Sequence, residues 1–170
     1  MPETAGEIVR LLASGGKSIA AAESCTAGLA AGLIARVPGA SRVFWGSFVT
    51  YSLDAKARML GVSGELINKE GAVSRSVALA MAEGALEKSG ASLAFSITGL
   101  AGPTGDGSET PIGTVWVGIA GKGIGKGIKS EAKMFRFEGS RNEVREAAAK
   151  AALGEVLKII KDIDRGEFLI

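Results

Sequence analysis

The chain has 170 residues, a formal net charge of +2 and 46% hydrophobic residues, so length and composition predict one globular domain over residues 1–170 with a buried core. It contains no histidine and one cysteine, which excludes a Ser-His-Asp triad, a Cys-His pair, the usual zinc hydrolase sites and an internal disulfide. Any acid–base chemistry near neutral pH must therefore use a lysine, carboxylate, tyrosine or cysteine whose pKa is shifted.

Charge and hydropathy along the chain argue against a membrane or nucleic-acid partner. No apolar run is long enough to span a bilayer, and the first ten residues lack the basic and apolar regions of a secretory signal. We therefore expect a cytoplasmic protein. Its lysines and arginines are scattered, and the one locally basic segment, residues 121–129, is typical of a solvated loop.

The first half of the chain alternates helical and strand patterns. Apolar residues at helical spacing predict a helix over residues 3–14, which ends at a pair of glycines. Three segments follow whose patterns predict a strand, a small-residue helix and a strand: residues 18–22, 26–36 and 43–51. Asp54 is a candidate N-cap of a short helix that contains Lys56.

The second half continues the alternation. Ser63 and Ser74 are N-cap candidates, and the helix after Ser74 is predicted to run to residue 88, with Gly90 as its stop. A strand over 93–98, a loop over 99–111, a strand over 114–120 and an edge strand over 128–137 come next. Ser140 and Glu143 form a capping-box pattern at the start of a helix that reaches about residue 164.

Strands interleaved with helices predict an α/β layered fold with a partly parallel sheet. The last two strands are joined by a short turn, so they should pair antiparallel. The sequence therefore predicts a mixed sheet.

Polar residues gather in the segment AESCTAG, residues 22–28, where a predicted strand runs into a helix. Ligands of α/β proteins bind at such strand ends, and the first N–H groups of a helix suit a phosphate or an oxyanion. Ser24 is a candidate nucleophile there. Cys25 is its rival, because a helix N-terminus lowers the pKa of a thiol, although no histidine exists to pair with it. On this segment alone, simple capping of the helix by serine or threonine is the alternative.

Lys56 is a candidate base, although a lone lysine in a short helix is normally a solvated charge. To take a proton from Ser24 it must be neutral near pH 7. Lowering its pKa from about 10.4 to about 7 requires roughly 4–5 kcal/mol of destabilisation of the ammonium. Burial beside apolar or cationic groups would supply that, and Tyr51 could relay a proton or orient the lysine.

Two further segments suggest a ligand. The loop over 99–111 is rich in glycine, which lets backbone N–H groups approach a ligand, although a mobile connector is the alternative. Arg141 and Arg145 lie one turn apart at the start of the last helix, where cations oppose the helix dipole. A bound phosphate would explain that placement, and the alternative is a surface pair balanced by Glu143 and Glu146.

Six segments occur in an order that is specific: AESCTAG, FVTYSLDAKARMLGV, GAVS, SITGLAGPTG, PIGTVW and FRFEGSRNEVR. Together they resemble the CinA C-terminal domain, the nicotinamide-nucleotide amidase family, over about residues 5–160. The resemblance implies a three-layer α/β/α fold and hydrolysis of nicotinamide mononucleotide to nicotinate mononucleotide and ammonia, in pyridine nucleotide recycling. The family's N-terminal molybdopterin-binding-like domain has no counterpart here, so we expect the stand-alone form.

By this resemblance Ser24 is the nucleophile and Lys56 its base, with Tyr51 beside them, and neither a metal nor a cofactor is implied. The partner is then a small nucleotide substrate. Its candidate contacts come from the serine segment, the glycine-rich loop and the last helix: Glu23, Cys25, Thr26, Thr98, Gly99, Gly102, Gly105, Arg141 and Arg145.

The chain departs modestly from the family pattern, and none of the departures touches Ser24 or Lys56. Ala27 stands where glycine is common, Thr98 where serine is common, and Ser140 where aspartate is common. Two other functions remain open: a nucleotide-binding regulatory module in competence or DNA damage, and an amidase or esterase of another small substrate. The small apolar residues of the helices leave a homodimer open.

Overall fold

The computed structural model describes residues 2–122 and 128–165, in which one sheet lies between two layers of helices. The strands are β1 Ile19–Glu23, β2 Phe44–Val49, β3 Leu93–Gly99, β4 Thr114–Lys122 and β5 Ile128–Arg136. The helices are α1 Pro2–Ser14, α2 Leu29–Ala35, α3 Leu53–Leu60, α4 Gly64–Glu70, α5 Arg75–Ser89 and α6 Arg141–Asp164.

The five strands lie in the order β2-β1-β3-β4-β5, which confirms the mixed sheet. β1 is parallel to both β2 and β3, whereas β4 is antiparallel to β3 and β5. The carboxyl ends of β1, β2 and β3 therefore meet at one edge of the sheet. This edge is where ligands bind in folds of this kind.

The alternation of side chains along each strand gives the sheet two buried faces, which confirms the three-layer α/β/α fold. Ile19, Phe95 and other large apolar residues pack against α1, α2 and α6. The opposite face carries small residues and packs against α5. A Cβ at Gly118 would lie 2.4 Å from the carbonyl oxygen of Ala78, so this glycine lets α5 rest directly on β4.

The predicted N-caps Ser63, Ser74 and Ser140 are confirmed, including the capping box at Ser140. Asp54 was the wrong N-cap, because the hydroxyl of Ser52 accepts the hydrogen bond from Ala55 N–H and Asp54 lies within the first turn of α3.

Two predicted elements are shorter in the structure than their sequence patterns indicated. The helix predicted over 26–36 begins only at Leu29, because Ala27 and Gly28 have φ values of 48° and 95°, which a right-handed helix excludes. The strand predicted over 43–51 is shorter, and Tyr51 follows its end. The centre of the basic segment 121–129 lies outside the described residues. Within the described ranges, none of the helices has the length and apolar character needed to cross a bilayer.

Candidate active site

Ser24 stands at the end of β1, at the edge of the sheet where three parallel strands finish. Its N–H donates to the carbonyl oxygen of Ile97 in β3 at 2.9 Å, and its side chain lines a cleft although the residue is only 8% exposed. The chain then turns through Ala27 and Gly28 into α2. The candidate nucleophile is therefore held by the sheet and not by the helix.

The side chain of Glu23, at the end of β1, caps the N-terminus of α2 from the interior of the protein. Its buried carboxylate accepts hydrogen bonds from the N–H groups of Gly28, Ala30 and Ala31 at 2.9, 3.1 and 2.8 Å, and from the Ser47 hydroxyl at 3.3 Å. This corrects two expectations. The N-terminus of α2 is not open to a phosphate or an oxyanion, and Glu23, which is completely buried, joins β1 to α2 and does not line the cleft.

Replacing Glu23 by glutamine should lower the free energy of unfolding by roughly 2–4 kcal/mol, because the amide offers one acceptor oxygen where a carboxylate offers two. Urea denaturation would measure the change. Glu87→Gln, at an exposed position on α5, is the matched control and should stay within about 0.5 kcal/mol of the wild type. Equal stability of both variants would contradict the role assigned to Glu23.

Lys56 meets Ser24 from α3. Its Nζ lies 2.8 Å from the Oγ of Ser24 and 3.0 Å from the carbonyl oxygen of Thr50, and only 2% of the residue is exposed. Burial lowers the pKa of Lys56 from its usual value, and a weaker opposing effect comes from Cys25. A neutral amine can donate to Thr50 while its lone pair accepts the Ser24 proton, which is the geometry of a general base.

Cys25 lines the cleft beside Ser24 but is poorly suited to attack. Burial raises the pKa of its thiol to about 11, which outweighs the opposing effects of its backbone hydrogen bond and of Lys56 and Arg145. The thiol is therefore protonated near neutral pH, and the thiolate is the nucleophilic form. The low thiol pKa that would make Cys25 the nucleophile is therefore absent.

One backbone donor remains beside Ser24 in the cleft. Within the turn that follows it, Ala27 N–H donates to the Ser24 carbonyl and Gly28 N–H to Glu23. Thr26 is completely buried and does not line the cleft, whereas Cys25 lines it, and in the described ranges the Cys25 N–H has only the sulfur of its own side chain beside it. The N–H of Cys25 is therefore the donor available to a charge that develops next to Ser24.

The cleft around this pair has a volume of about 580 Å³, within the usual range for small-molecule sites. The guanidinium of Arg141 lies on one side of it, donating to the hydroxyl of Tyr51 and, at 2.6 Å, to the carbonyl oxygen of Gly102. Tyr51 is 55% exposed. Arg141 thus joins the glycine-rich loop to the segment that precedes α3.

The other predicted contacts divide into two groups. Thr98 and Gly99 line the cleft, and the Thr98 hydroxyl is buried and donates to the Ala72 carbonyl at 2.8 Å. Gly105, Gly102 and Thr26 are not among the residues that line it, although Gly102 contributes the carbonyl bound by Arg141.

Arg145 also lies outside the cleft, so of the two arginines that the sequence offered for a phosphate, Arg141 is the one that lines it. Its Nε donates to the Cys25 carbonyl at 2.9 Å and its Nη2 to the Thr26 carbonyl at 3.2 Å. Its Nη1 donates to the side-chain oxygen of Asn142 at 3.2 Å. These bonds occupy the guanidinium with the turn that follows Ser24.

Sequence reasoning missed two polar residues of the cleft, Asn68 and Asp106. Hydrogen bonds from the side chain and backbone of Ser108 lower the pKa of Asp106, so its carboxylate is ionised near neutral pH. Asp106 lies in the loop that was singled out for its glycines. Nothing in the sequence around Asn68 indicated a site. Cysteine and carboxylate side chains in the described ranges form no group of three that could hold a metal ion.

A family model described as the CinA C-terminal domain matches residues 2–160. The chain belongs to the CinA C-terminal domain family. Among curated relatives, a putative competence-damage inducible protein of Caldicellulosiruptor saccharolyticus is 46% identical over 153 residues, which covers 90% of this chain and 36% of the relative. A CinA-like protein of Chlorobium limicola is 42% identical over 96% of this chain and 37% of its own length. The chain therefore spans about a third of the length of these CinA relatives.

Solved CinA-superfamily structures match along most of their length. The competence/damage inducible protein CihA of Agrobacterium tumefaciens is 38% identical with a TM-score of 0.84, over 92% of this chain and 93% of that one. A CinA superfamily protein of Escherichia coli is 31% identical with a TM-score of 0.86, over 92% and 88%. The fold described above is thus the CinA fold.

Proposed function

We propose that this CinA domain is an amidohydrolase that releases ammonia from the carboxamide of nicotinamide mononucleotide. The observation that supports this most strongly is the 2.8 Å contact between Lys56 Nζ and Ser24 Oγ, made by a lysine that is almost completely buried. A buried lysine whose pKa is lowered and whose neighbour is a serine is the arrangement expected of a serine nucleophile activated by an amine.

The proposed reaction has two steps with balanced proton transfers. Ser24 Oγ attacks the carboxamide carbon while Lys56 takes its proton, and the N–H of Cys25 donates to the resulting oxyanion. The C–N bond then breaks, and the Lys56 ammonium protonates the leaving nitrogen to give ammonia. Water attacks the remaining ester, Lys56 takes a proton from this water, and Ser24 regains its hydrogen.

Charges around the cleft support a nucleotide as substrate. The planar guanidinium of Arg141 is suited to a phosphate, and it lies on the same cleft as Ser24. The carboxylate of Asp106 and the amide of Asn68 offer acceptors for sugar hydroxyls. We assign the phosphate to Arg141 alone, since Arg145 is bonded to the turn.

Incubation of the purified protein with nicotinamide mononucleotide, followed by an ammonia assay, tests the proposal. Nicotinamide riboside, which lacks the phosphate, is the matched substrate, and we expect it to react with a lower kcat/KM. Binding of the mononucleotide without ammonia release would indicate a regulatory nucleotide-binding module. Equal turnover of both substrates would indicate an amidase of other small molecules.

Arg141→Ala should raise KM for nicotinamide mononucleotide by about tenfold or more, because a charge-assisted hydrogen bond contributes roughly 1.5–3 kcal/mol. The advantage of the mononucleotide over the riboside should shrink by the same factor. Arg10→Ala, which removes an exposed arginine on α1, is the control for loss of one positive charge. Undiminished discrimination in Arg141→Ala would place the phosphate elsewhere.

A further inference from the structure

We infer that Tyr51 is a positioning residue for phosphate recognition, because its hydroxyl holds the guanidinium of Arg141 at the cleft. The inference rests on the proposed function and deepens it, since it assigns Tyr51 to the choice between a phosphorylated and an unphosphorylated substrate. The competing role is a proton relay to Lys56, which would place Tyr51 in the chemical step.

The first argument is the partner of the Tyr51 hydroxyl. This hydroxyl accepts a hydrogen bond from Nη2 of Arg141, and in the part of the chain that the structure describes it is bonded to neither Ser24 nor Lys56. The amine of Lys56 has its own two partners, Ser24 Oγ and the carbonyl oxygen of Thr50. A proton relay requires hydrogen-bond reach between the groups that exchange the proton. The contacts therefore favour Arg141 as the group on which Tyr51 acts.

The second argument is that the charge of Arg141 is available to an anion. Within the described ranges Arg141 makes no ion pair, and the nearby carboxylate of Glu143 accepts hydrogen bonds from the N–H and hydroxyl of Ser140. The guanidinium donates to two neutral groups, the Tyr51 hydroxyl and the Gly102 carbonyl. These bonds use two of its five N–H groups and leave three for a ligand. An uncompensated guanidinium that is held in place is suited to a phosphate.

The third argument is that the two acceptors hold Arg141 from both sides of the strand that leads to Ser24. β2 and β3 are the two neighbours of β1 in the sheet, and Tyr51 follows β2 whereas Gly102 follows β3. Arg141 is an exposed, flexible side chain that would lose rotamer freedom on binding a ligand, and restraint beforehand reduces that loss. Without the Tyr51 hydroxyl, the guanidinium would be held by the Gly102 carbonyl alone.

The test compares Tyr51→Phe, Arg141→Ala and the variant that carries both substitutions. Trp45→Phe is the control, because Trp45 is an exposed aromatic residue of β2 that does not line the cleft. One readout is kcat and KM with nicotinamide mononucleotide and with nicotinamide riboside. The other is the calorimetric Kd of both ligands, measured in proteins that also carry Ser24→Ala, so that binding is observed without turnover.

Tyr51→Phe should raise KM and Kd for the mononucleotide by roughly three- to tenfold, the scale of one lost hydrogen bond to a charged group. The change should be confined to the phosphorylated ligand and should not appear in kcat. The double variant should bind the mononucleotide no more weakly than Arg141→Ala, because a residue that acts through Arg141 adds nothing once Arg141 is absent. Trp45→Phe should match the wild type. The midpoint of the pH profile should not move, since the contact between Lys56 and Ser24 is unaltered.

A fall in kcat on both substrates without a change in KM would overturn the inference and indicate the proton relay. Wild-type affinity of Tyr51→Phe for the mononucleotide would also overturn it, as would losses that add in the double variant. Absence of ammonia release, by contrast, refutes the proposed function, while the Kd values still decide the role of Tyr51. A protein that does not bind the mononucleotide at all contradicts both.

Discussion

Replacing Ser24 by alanine should reduce kcat for ammonia release by roughly 10⁴-fold or more, because removing the nucleophile of a coupled pair abolishes the covalent route. The substitution deletes one oxygen at a position already 8% exposed, so packing should be preserved. Lys56 keeps its hydrogen bond to the Thr50 carbonyl. Ammonia assays report the loss, and calorimetric titration with nicotinamide mononucleotide should show nearly unchanged affinity.

The control for Ser24→Ala is a substitution of Cys25, the next residue in the chain. Cys25→Ala should keep substantial activity, because burial raises the pKa of this thiol to about 11 and leaves it protonated at working pH. The opposite pattern, in which Cys25 is essential and Ser24 is dispensable, would indicate a thiol mechanism.

Loss of the base should be nearly as damaging. Lys56→Met removes the titratable group that is hydrogen-bonded to Ser24 Oγ, and kcat/KM should fall by roughly 10³-fold or more. Lys56→Arg should be almost as inactive, since a guanidinium keeps the positive charge but cannot give up its proton near neutral pH.

The activity is expected to rise with pH, because Lys56 must lose a proton to act as a base. Burial lowers the pKa of Lys56, and the neutral amine is the active form. Activity should therefore be low below that lowered pKa and rise with pH through it, at a value under the usual 10.5 of lysine. A plot of kcat/KM against pH measures this for the free enzyme. A rising limb near pH 4–6, together with an active Lys56→Arg variant, would point to a carboxylate base.

Features set by local sequence could be predicted from the chain alone. The caps at Ser63, Ser74 and Ser140 depend on residues three positions away, and all three are observed. The mixed sheet follows from the order of its elements. By contrast, α2 begins later than its apolar pattern suggested, because the turn before it is fixed by Glu23 and by contacts distant in sequence.

In the candidate site, too, local sequence predicted some features and tertiary packing determined the others. Sequence and resemblance singled out Ser24 and Lys56, but the burial of Lys56 depends on how α3 packs against the strand ends. Arg141 and Arg145 looked equivalent because they lie one turn apart on α6. The structure separates them, since one faces the cleft and the other holds the turn after Ser24. Such a difference arises from tertiary packing and cannot be predicted from the local sequence of α6.

The central claim, that Ser24 forms an acyl intermediate with the carboxamide carbon, is tested most directly by trapping with hydroxylamine. Wild-type enzyme turning over nicotinamide mononucleotide should divide its product between the acid and the hydroxamate, with the hydroxamate fraction rising with hydroxylamine concentration. Ser24→Ala should give neither. Ammonia release that yields only the acid at every hydroxylamine concentration, or a Ser24→Ala variant as active as the wild type, would contradict the covalent Ser24 mechanism.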